Sequence, residues 1–483
     1  MGGVKDNREF IEALEKSGDL VRIKRETDWD LEVGAITRRV CEKGAPAPLF
    51  ENIKGYPNHR ILGTPLATQR RLAVALGLDA GASFKEILAT FGERKEKPIK
   101  PVIVKNAPCK ENIIAEKDIN LNDFPVPMIH DGDGGRYFSW QVLATKDPDS
   151  DWINFGMYRF MILNRNHLAG LIGNYTHAGM ILYPKYFAKK KGMPFALVST
   201  PEPLTALVAM LRFAPYENEV DFAGGLLQEP VEVTRCETSD ILVPANAEMV
   251  IEGEILYNET APEGPFGEFT GYRSTPRENR SVLKVTRITH RTSPILGVSN
   301  MGVPVDDSHI GTSIGVSWGM TKILRENGIP ITGAYAPPQG LGNEIAIIGV
   351  KKKQAGSSNI ASHIGNLVST QAWQPGMLTK VFVVDEDVDV YNLDEVWHSI
   401  ASKLHPARSI KIREDEIGVK IAPYLSYEER LRSKGARVIF DCTWPSEWSD
   451  DVEIPAKVSF EKMYPEEVKN RVLDNWKKDF GGK

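Results

Sequence analysis

Apolar residues near the start of the chain recur first with a helical period and then in alternation. Asp6 and Asn7 are candidate caps for a helix over NREFIEALEK, which carries apolar positions on one face. Gly18 interrupts this pattern, and the following LVRIK alternates between apolar and polar positions as a strand does. The sequence therefore predicts helix, turn and strand at the beginning of an N-terminal α/β region over residues 1–110.

Short β-branched runs between turn signals dominate residues 111–305. Runs of this kind are RFMILN, PVEVTRC, DILVP, SVLKVTRIT and PILGVSN. Few long helical periods interrupt them. This pattern predicts a mostly antiparallel sheet or barrel, separated from the N-terminal region by stretches rich in charge and proline such as ERKEKPIKP.

Helical and strand patterns alternate after residue 305. VSWGMTKILREN predicts a helix within residues 306–328, while EIAIIGVKK, TKVFVVDED and ARVIFDCT are typical of strands and LDEVWHSIASKL of a helix. Such alternation predicts an α/β domain over residues 329–483. The expected fold class is therefore α/β (α+β), with a helix joining the central and C-terminal domains.

Composition and charge narrow the class of protein. Hydrophobic residues at 42% and charged residues at 25% are globular averages, and a net charge of -5 gives no general attraction to nucleic acid or anionic lipid. No window approaches 18 consecutive apolar residues, and the N-terminus lacks an apolar signal-peptide core. The 4 cysteines have no CxxC spacing. We expect a cytoplasmic protein with neither nucleic-acid nor membrane partners.

The metalloprotease and nucleotide-binding motifs HExxH and GxxxxGK[ST] do not occur in the sequence. GDGGRY, residues 132–137, does not lie between a clear strand and a helix, so its glycines are interpreted as turn residues. The middle region instead carries Asn154, His177 and Glu219. This mixed N/O set suits manganese or magnesium. A lone histidine is more often structural, and that alternative stays open.

Two glutamates, Glu263 and Glu268, stand five residues apart in ETAPEGPFGEFTGY, residues 259–272. Few acids are expected in a run of glycines and prolines. The tight backbone path that these residues allow can aim both carboxylates into one pocket. The alternative is that both are solvated loop acids.

Five motifs together resemble the UbiD family of reversible decarboxylases, which use prenylated FMN. They are NFGMYR (154–159), EVDFAG (219–224), ETAPEGPFGEFTGY (259–272), VKKKQAG (350–356) and TKVFVVDEDVD (379–389). The resemblance covers about residues 5 to 450. It implies a central flavin-binding split β-barrel, a linker helix and a C-terminal oligomerisation domain.

The resemblance also implies roles for individual residues. It assigns the ligands of Mn²⁺ or Mg²⁺, with K⁺ as a further candidate ion, to Asn154, His177 and Glu219. It assigns further cofactor contacts to Tyr158, Arg159 and Lys380, the last of these to the phosphate. It assigns the catalytic network to Arg159, Glu263 and Glu268.

The chemistry of decarboxylation gives these roles a physical reason. The cofactor's electrophilic iminium supplies the electron sink that side chains lack. Arg159 offers a fixed fork of donors for a carboxylate. Two glutamates close to one arginine should differ in pKa, because the paired one stays ionised while its neighbour is pushed upward. We therefore predict that Glu263 belongs to the ion network and that Glu268 returns the proton to the substrate carbon.

A small aromatic carboxylic acid is the expected substrate. Phe269, His309 and Thr312 are the predicted pocket residues, and the last two can offer polar partners to a ring hydroxyl. We favour a hydroxybenzoate-type acid such as 4-hydroxybenzoate, protocatechuate, vanillate or gallate. Cinnamic-type, heteroaromatic and polyprenyl-hydroxybenzoate acids stay open.

The expected partners are a flavin prenyltransferase as cofactor supplier and further copies of the chain in a homodimer or homohexamer. Two other classes compete with the decarboxylase. One is a flavin-dependent reductase, which needs no trio of two glutamates and an arginine. The other is a flavin-binding accessory subunit of a carboxylase complex.

Overall fold

The computed structural model describes residues 2–273, 275–355, 359–374, 376–449 and 452–481. Gly356, the last residue of the VKKKQAG motif, lies outside them. The N-terminal part contains helices α1 (Asn7–Lys16), α2 (Glu32–Lys43), α3 (Gln69–Ala75) and α4 (Phe84–Lys95) and strands β1 (Leu20–Ile23), β2 (Ala47–Phe50) and β3 (Arg60–Gly63). The side chain of Asp6 accepts a hydrogen bond from the backbone N–H of Arg8 at the start of α1. The predicted helix, turn and strand are confirmed.

The central part is built from strands that pair across a large sheet. Its strands are β4 (Val102–Ile103), β5 (Asn112–Ala115), β6 (Tyr137–Phe138), β7 (Gln141–Lys146), β8 (Ile153–Met157), β9 (Phe160–Asn164), β10 (His167–Gly170), β11 (Met193–Ser199), β12 (Glu232–Arg235), β13 (Leu242–Pro244), β14 (Met249–Glu263), β15 (Glu278–His290) and β16 (Ile295–Val298), with helices α5 (His177–Ile181), α6 (Pro203–Ala209) and α7 (Glu219–Leu227). The large sheet has the order β6-β9-β10-β15-β14-β11-β7-β8, and β5 pairs with β15. All pairs in it are antiparallel, as predicted.

Strand order shows that this sheet is strongly curled. β8 and β9 lie six strand positions apart, a separation of about 29 Å in a flat sheet at ~4.8 Å per strand. Only Tyr158 and Arg159 join them, and this link spans at most about 11 Å when extended. The two ends of the sheet must therefore approach each other, and Arg159 lies where they meet.

The other central strands extend neighbouring sheets. β16 pairs in parallel with β3 and completes the N-terminal sheet, of order β1-β2-β3-β16. β13, β12 and β4 form a three-stranded sheet. The N-terminal and central parts are thus joined by backbone hydrogen bonds as well as by sequence.

The C-terminal part follows a long helix, α8 (Asp307–Glu326), which occupies most of the predicted linker segment. Its sheet has the order β17-β18-β19-β21-β20, in which β18, β19 and β21 are parallel. The elements are β17 (Ile331–Tyr335), β18 (Ile345–Val350), β19 (Lys380–Asp385), β20 (Ile410–Ile417), β21 (Lys434–Cys442), α9 (Lys352–Ala355), α10 (Ile360–Leu367), α11 (Leu393–Lys403), α12 (Tyr427–Arg432), α13 (Phe460–Met463) and α14 (Glu466–Phe480). The α/β alternation predicted for this part is confirmed. None of the described helices has the length and apolar composition needed to cross a bilayer.

Candidate active site

Arg159 lies between the two glutamates of the 259–272 motif. Its Nε donates to Oε1 of Glu263 at 3.0 Å, and its Nη1 donates to Oε1 of Glu268. Arg159 comes from the link between β8 and β9, Glu263 ends β14, and Glu268 follows in the loop. The structure thus brings together the three residues predicted as catalytic, here called the Arg159 cluster.

The two glutamates of the Arg159 cluster have different surroundings. Glu263 also accepts a hydrogen bond from the hydroxyl of Tyr137 at 2.8 Å, and Arg280 Nε lies 3.9 Å from its Oε2. Glu268 is only 5% exposed, and Arg159 is the cation that contacts it. Burial raises the pKa of Glu268; Arg159 opposes this shift, while the negative charge of Glu263 adds to it. Both glutamates are therefore paired with Arg159, but Glu263 has further donors, and the pKa of Glu268 lies above its ordinary value.

Aromatic rings surround these charges. Phe266 is fully buried, its ring centroid lies 4.4 Å from that of Tyr137, and the guanidinium of Arg159 lies 5.1 Å from the Phe266 centroid. An apolar wall of this kind lowers the local dielectric and strengthens each charge interaction at the site.

The loop that carries Glu268 rests on the GDGGRY segment. Asp133 accepts a hydrogen bond from the N–H of Gly267 at 3.2 Å, and Gly134 donates to the carbonyl of Pro265 at 2.8 Å. A Cβ at Gly134 would lie 2.2 Å from the carbonyl oxygen of Gly264. Only Gly132, at φ 79°, has the positive φ of a turn glycine in this segment. The turn interpretation therefore missed the main role of Asp133 and Gly134, which is to support the glutamate loop.

A second cluster, here called the Asn154 cluster, consists of Asn154, His177 and Glu219. Glu219 begins α7 and accepts hydrogen bonds from Nδ2 of Asn154 at 2.8 Å and from the backbone N–H of Phe155 at 3.0 Å. His177 begins α5, and its Nδ1 lies 3.7 Å from Oε1 of Glu219. The indole of Trp152 packs edge-on against His177, with centroids 5.3 Å apart. The three predicted metal ligands therefore meet at one carboxylate.

The Asn154 cluster fits a hard divalent ion in its donor types. Oδ1 of Asn154 is buried and has no hydrogen-bond partner, which leaves a strong acceptor available. An amide oxygen, an imidazole and a carboxylate are the ligand types that suit Mn²⁺ or Mg²⁺. Within the described residues, no group of three or more His, Cys, Asp and Glu side chains is arranged to hold a metal. The metal site at the Asn154 cluster stays a prediction.

Two predicted cofactor contacts lie in different parts of the chain. Tyr158 adjoins Arg159 in the link between β8 and β9, and burial raises the pKa of its hydroxyl to about 12. Lys380 begins β19 in the C-terminal sheet, where its Nζ lies 3.3 Å from Oε2 of Glu344 and 4.5 Å from the ring centroid of Tyr424. The contacts of Lys380 are thus with C-terminal residues, and its role toward a phosphate stays a prediction.

The predicted pocket residues lie where α8 meets the glutamate loop. The Nε2 of His309 donates to the carbonyl of Phe269 at 2.7 Å, and its Nδ1 accepts from the N–H of Asp306 at 3.1 Å. The hydroxyl of Thr312 donates to the carbonyl of Ser308 at 2.7 Å. Both nitrogens of His309 therefore have protein partners, and its contact with a substrate hydroxyl stays a prediction. Its observed contacts join Phe269, which follows Glu268, to the start of α8.

Known proteins resemble the chain over nearly its whole length. Three family models match it, described as the N-terminal, Rift-related and C-terminal domains of 3-octaprenyl-4-hydroxybenzoate carboxy-lyase, UbiD, over residues 11–91, 100–304 and 313–442. Pyrrole-2-carboxylic acid decarboxylase of Pseudomonas aeruginosa is 31% identical, covering 99% of this chain and 98% of the relative. Ferulic acid decarboxylase of Saccharomyces cerevisiae is 31% identical, with 98% and 97% covered. Phenolic acid decarboxylase of Sedimentibacter hydroxybenzoicus is 33% identical, with 87% and 88% covered.

Solved structures give the same result. The open form of vanillic acid decarboxylase from Sedimentibacter hydroxybenzoicus superposes with a TM-score of 0.85 at 28% identity, covering 99% of this chain and 100% of the other. An evolved dimeric form of a UbiD-class enzyme from Pelotomaculum thermopropionicum, in complex with prenylated FMN, gives 0.80 at 26% identity, with 94% and 97% covered. On these matches the chain belongs to the UbiD family and is a carboxy-lyase.

Proposed function

We propose that the chain catalyses reversible, non-oxidative decarboxylation of an aromatic acid, with prenylated FMN as cofactor and Glu268 as proton donor. The observation that carries this proposal is the Arg159 cluster, in which one arginine contacts two glutamates of unlike surroundings. Structural neighbours with bound prenylated FMN support the cofactor. Binding of the substrate carboxylate requires a cation such as an arginine, and return of the proton requires an acid such as a carboxyl group with a raised pKa.

Each residue of the Arg159 cluster has a separate task in this proposal. Arg159 presents its donors to the substrate carboxylate and is held in place by Glu263, which Tyr137 fixes in turn. Glu268, whose pKa is raised by burial, is the group that in its acidic form delivers the proton to the ring carbon that has lost CO2. The fully buried ring of Phe266 excludes water, which keeps that proton from exchanging with solvent.

The Asn154 cluster holds the cofactor in this proposal. When bound, the flavin supplies the electron sink for the carbon–carbon cleavage. Asn154, His177 and Glu219 would hold Mn²⁺ or Mg²⁺, with K⁺ as a further candidate, and the ion would supply positive charge for the cofactor phosphate. The buried, unpartnered Oδ1 of Asn154 supports this assignment. Tyr158 and Lys380 are proposed as further contacts.

A hydroxybenzoate-type acid is the substrate that we propose. Relatives named for phenolic and vanillic acids support it. The relatives named for pyrrole-2-carboxylic and ferulic acids keep heteroaromatic and cinnamic-type acids as alternatives, at nearly the same identity. Phe269 and Thr312 are proposed to contact the ring. We also propose that a flavin prenyltransferase supplies the cofactor and that the chain forms a homo-oligomer, which the dimeric neighbour supports.

The test is an anaerobic substrate panel. The chain is co-expressed with a flavin prenyltransferase, and CO2 release and product are followed for hydroxybenzoic, cinnamic, heteroaromatic and naphthoic acids. We expect turnover among the phenol and catechol acids. Turnover on cinnamates alone would overturn the substrate class and keep the reaction. Failure of every acid despite bound modified flavin would favour the accessory subunit.

A further inference from the structure

His130 lies beneath the glutamate loop and contacts it directly. Its Nδ1 lies 3.0 Å from Oδ2 of Asp133, and its Nε2 lies 2.8 Å from Oδ1 of Asn300. A Cβ at Gly267 would lie 2.5 Å from Cε1 of the His130 ring. Position 267 must therefore lack a side chain for the ring to pack against the residue that precedes Glu268.

Asn300 orients the His130 ring from its other side. The Nδ2 of Asn300 donates to the carbonyl of Gly34 at 2.7 Å and to the hydroxyl of Thr37 at 2.9 Å. The Thr37 hydroxyl in turn donates to the carbonyl of Val33 at 2.8 Å. The amide oxygen of Asn300 therefore faces Nε2, while Oδ2 of Asp133 faces Nδ1, so an acceptor oxygen holds the ring on each side.

Asp133 links the His130 ring to the loop. One of its oxygens contacts Nδ1 of His130, and the other accepts from the N–H of Gly267 at 3.2 Å. Resting on the proton-donor role proposed for Glu268, we propose that His130 is a positioning residue whose ring holds Asp133 and the Gly267 amide, and thereby keeps Glu268 against Arg159.

The other partners of Asp133 are longer or more exposed. The backbone N–H of His130 donates to Oδ2 of Asp133 at 3.3 Å. Arg273, from the loop after Glu268, has its Nε 3.7 Å from Oδ1 of Asp133, and its side chain is 39% exposed. Arg38 on α2 donates to the carbonyl of Asn300 and lies 3.8 Å from Oδ2 of Asp306. Loss of the ring contact therefore leaves Asp133 with two backbone donors and an exposed arginine.

Two near-isosteric variants separate the two donors of the ring. In His130→Asn the amide can take the place of Nδ1–H toward Asp133, whereas in His130→Gln it can take the place of Nε2–H toward Asn300 only. The readout is amide hydrogen exchange of residues 264–268 in the flavin-free protein, measured at one pH and corrected for intrinsic rates. We expect His130→Asn to keep most of the protection of the unmodified protein and His130→Gln to lose it.

Turnover of the loaded enzyme gives a second readout. His130→Gln should lower kcat about tenfold with KM within about twofold and flavin content unchanged, while His130→Asn stays within about threefold of the unmodified enzyme. Unaltered protection and kcat in His130→Gln would overturn the proposal, and so would an equal loss of both in His130→Asn. The exchange measurement decides this even where Glu268→Gln retains turnover, a result that would contradict the role of Glu268 alone. His130→Asn keeps a donor to Asp133 and therefore controls for a general loss of folding.

Discussion

Arg159 and Asn154, after which the two clusters are named, are five residues apart in the chain, and the polar atoms of the two clusters are satisfied to different degrees. Arg159 contacts both glutamates, and Glu263 has further donors in Tyr137 and a nearby Arg280. In the Asn154 cluster, by contrast, the buried amide oxygen of Asn154 has no partner. A buried acceptor without a partner costs about 1–3 kcal/mol. The first cluster is thus complete within the protein, while the second keeps an acceptor that the proposed cation would satisfy.

This difference assigns the two clusters to different stages of the reaction. Groups already paired in the protein keep their positions when the cofactor binds, so they can act on the substrate with little reorganisation. Groups that keep an unpaired acceptor atom gain a partner only when the metal ion and the cofactor bind. Substitutions in the Arg159 cluster should therefore lower turnover at constant cofactor content, and substitutions in the Asn154 cluster should lower cofactor content itself.

Glu268→Gln should give the largest loss of turnover. The amide keeps the shape and an acceptor for Arg159 but has no acidic proton to deliver. A general acid contributes about 10²–10⁴-fold, so kcat should fall by at least about 100-fold. The measurement is CO2 release together with flavin and metal content, which should stay unchanged. Glu259→Gln is the matched control, because Glu259 is an exposed acid on β14, the strand that precedes the loop of Glu268. Normal decarboxylation by Glu268→Gln would refute its role as proton donor.

Glu219→Ala should lower metal and flavin content together. Glu219 is the carboxylate on which Asn154 and His177 converge, so its loss leaves two uncharged ligands. We expect metal affinity to fall by at least about tenfold, the lower range for changes around a metal site. Metal analysis and flavin absorbance of the purified protein measure this. Asp221→Asn, on the first turn of the same helix, is the control for a charge change. Flavin content equal to that of the control would contradict the metal bridge.

The sequence predicted the members of both clusters but not the residues that orient them. Glu263 and Glu268 stand out because acids are rare in a Gly–Pro run, and the motifs mark Arg159 and the Asn154 cluster. Tyr137 supports Glu263 from a strand more than 100 residues earlier. Such support depends on sheet curvature and strand pairing, which a local pattern does not encode.

The loop beneath Glu268 shows the same limit. GDGGRY has the composition of a turn, yet Asp133 and Gly134 bind the glutamate loop. The sequence did carry a signal for this supporting role, because His130 and Asp133 are two titratable residues close to the glycine pair of this segment. His309 differs from Asp133 and Gly134. It is predicted as a substrate contact, and both of its ring nitrogens are hydrogen-bonded to backbone groups of the protein.

The pH dependence of decarboxylation should follow the protonation of Glu268. Burial raises the pKa of Glu268 above its ordinary value. The contribution of this group to the stability of the folded state is therefore present at low pH and is lost as the pH rises through the folded-state pKa. As the donor, Glu268 must be protonated, so kcat should be level at low pH and then fall about tenfold per pH unit. The profile is measured as CO2 release from the loaded enzyme, with flavin content checked at each pH. A kcat that rises with pH would contradict proton donation by Glu268.

Tyr137→Phe should give the smallest effect and the finest comparison of the two glutamates. It removes one donor from Glu263 and the acceptor of the Gly264 N–H, while the ring still packs on Phe266. A buried hydrogen bond is worth about 1 kcal/mol, so the free energy of unfolding should fall by about 1–2 kcal/mol and kcat by roughly fivefold. Denaturant unfolding and kcat measure both, with Tyr56→Phe as a control that removes a distant hydroxyl bonded to Asn122. Flavin and metal content should not change, because Tyr137 supports the Arg159 cluster alone. A loss of flavin in Tyr137→Phe, with kcat per bound flavin unchanged, would show that the two clusters are not separate functional units.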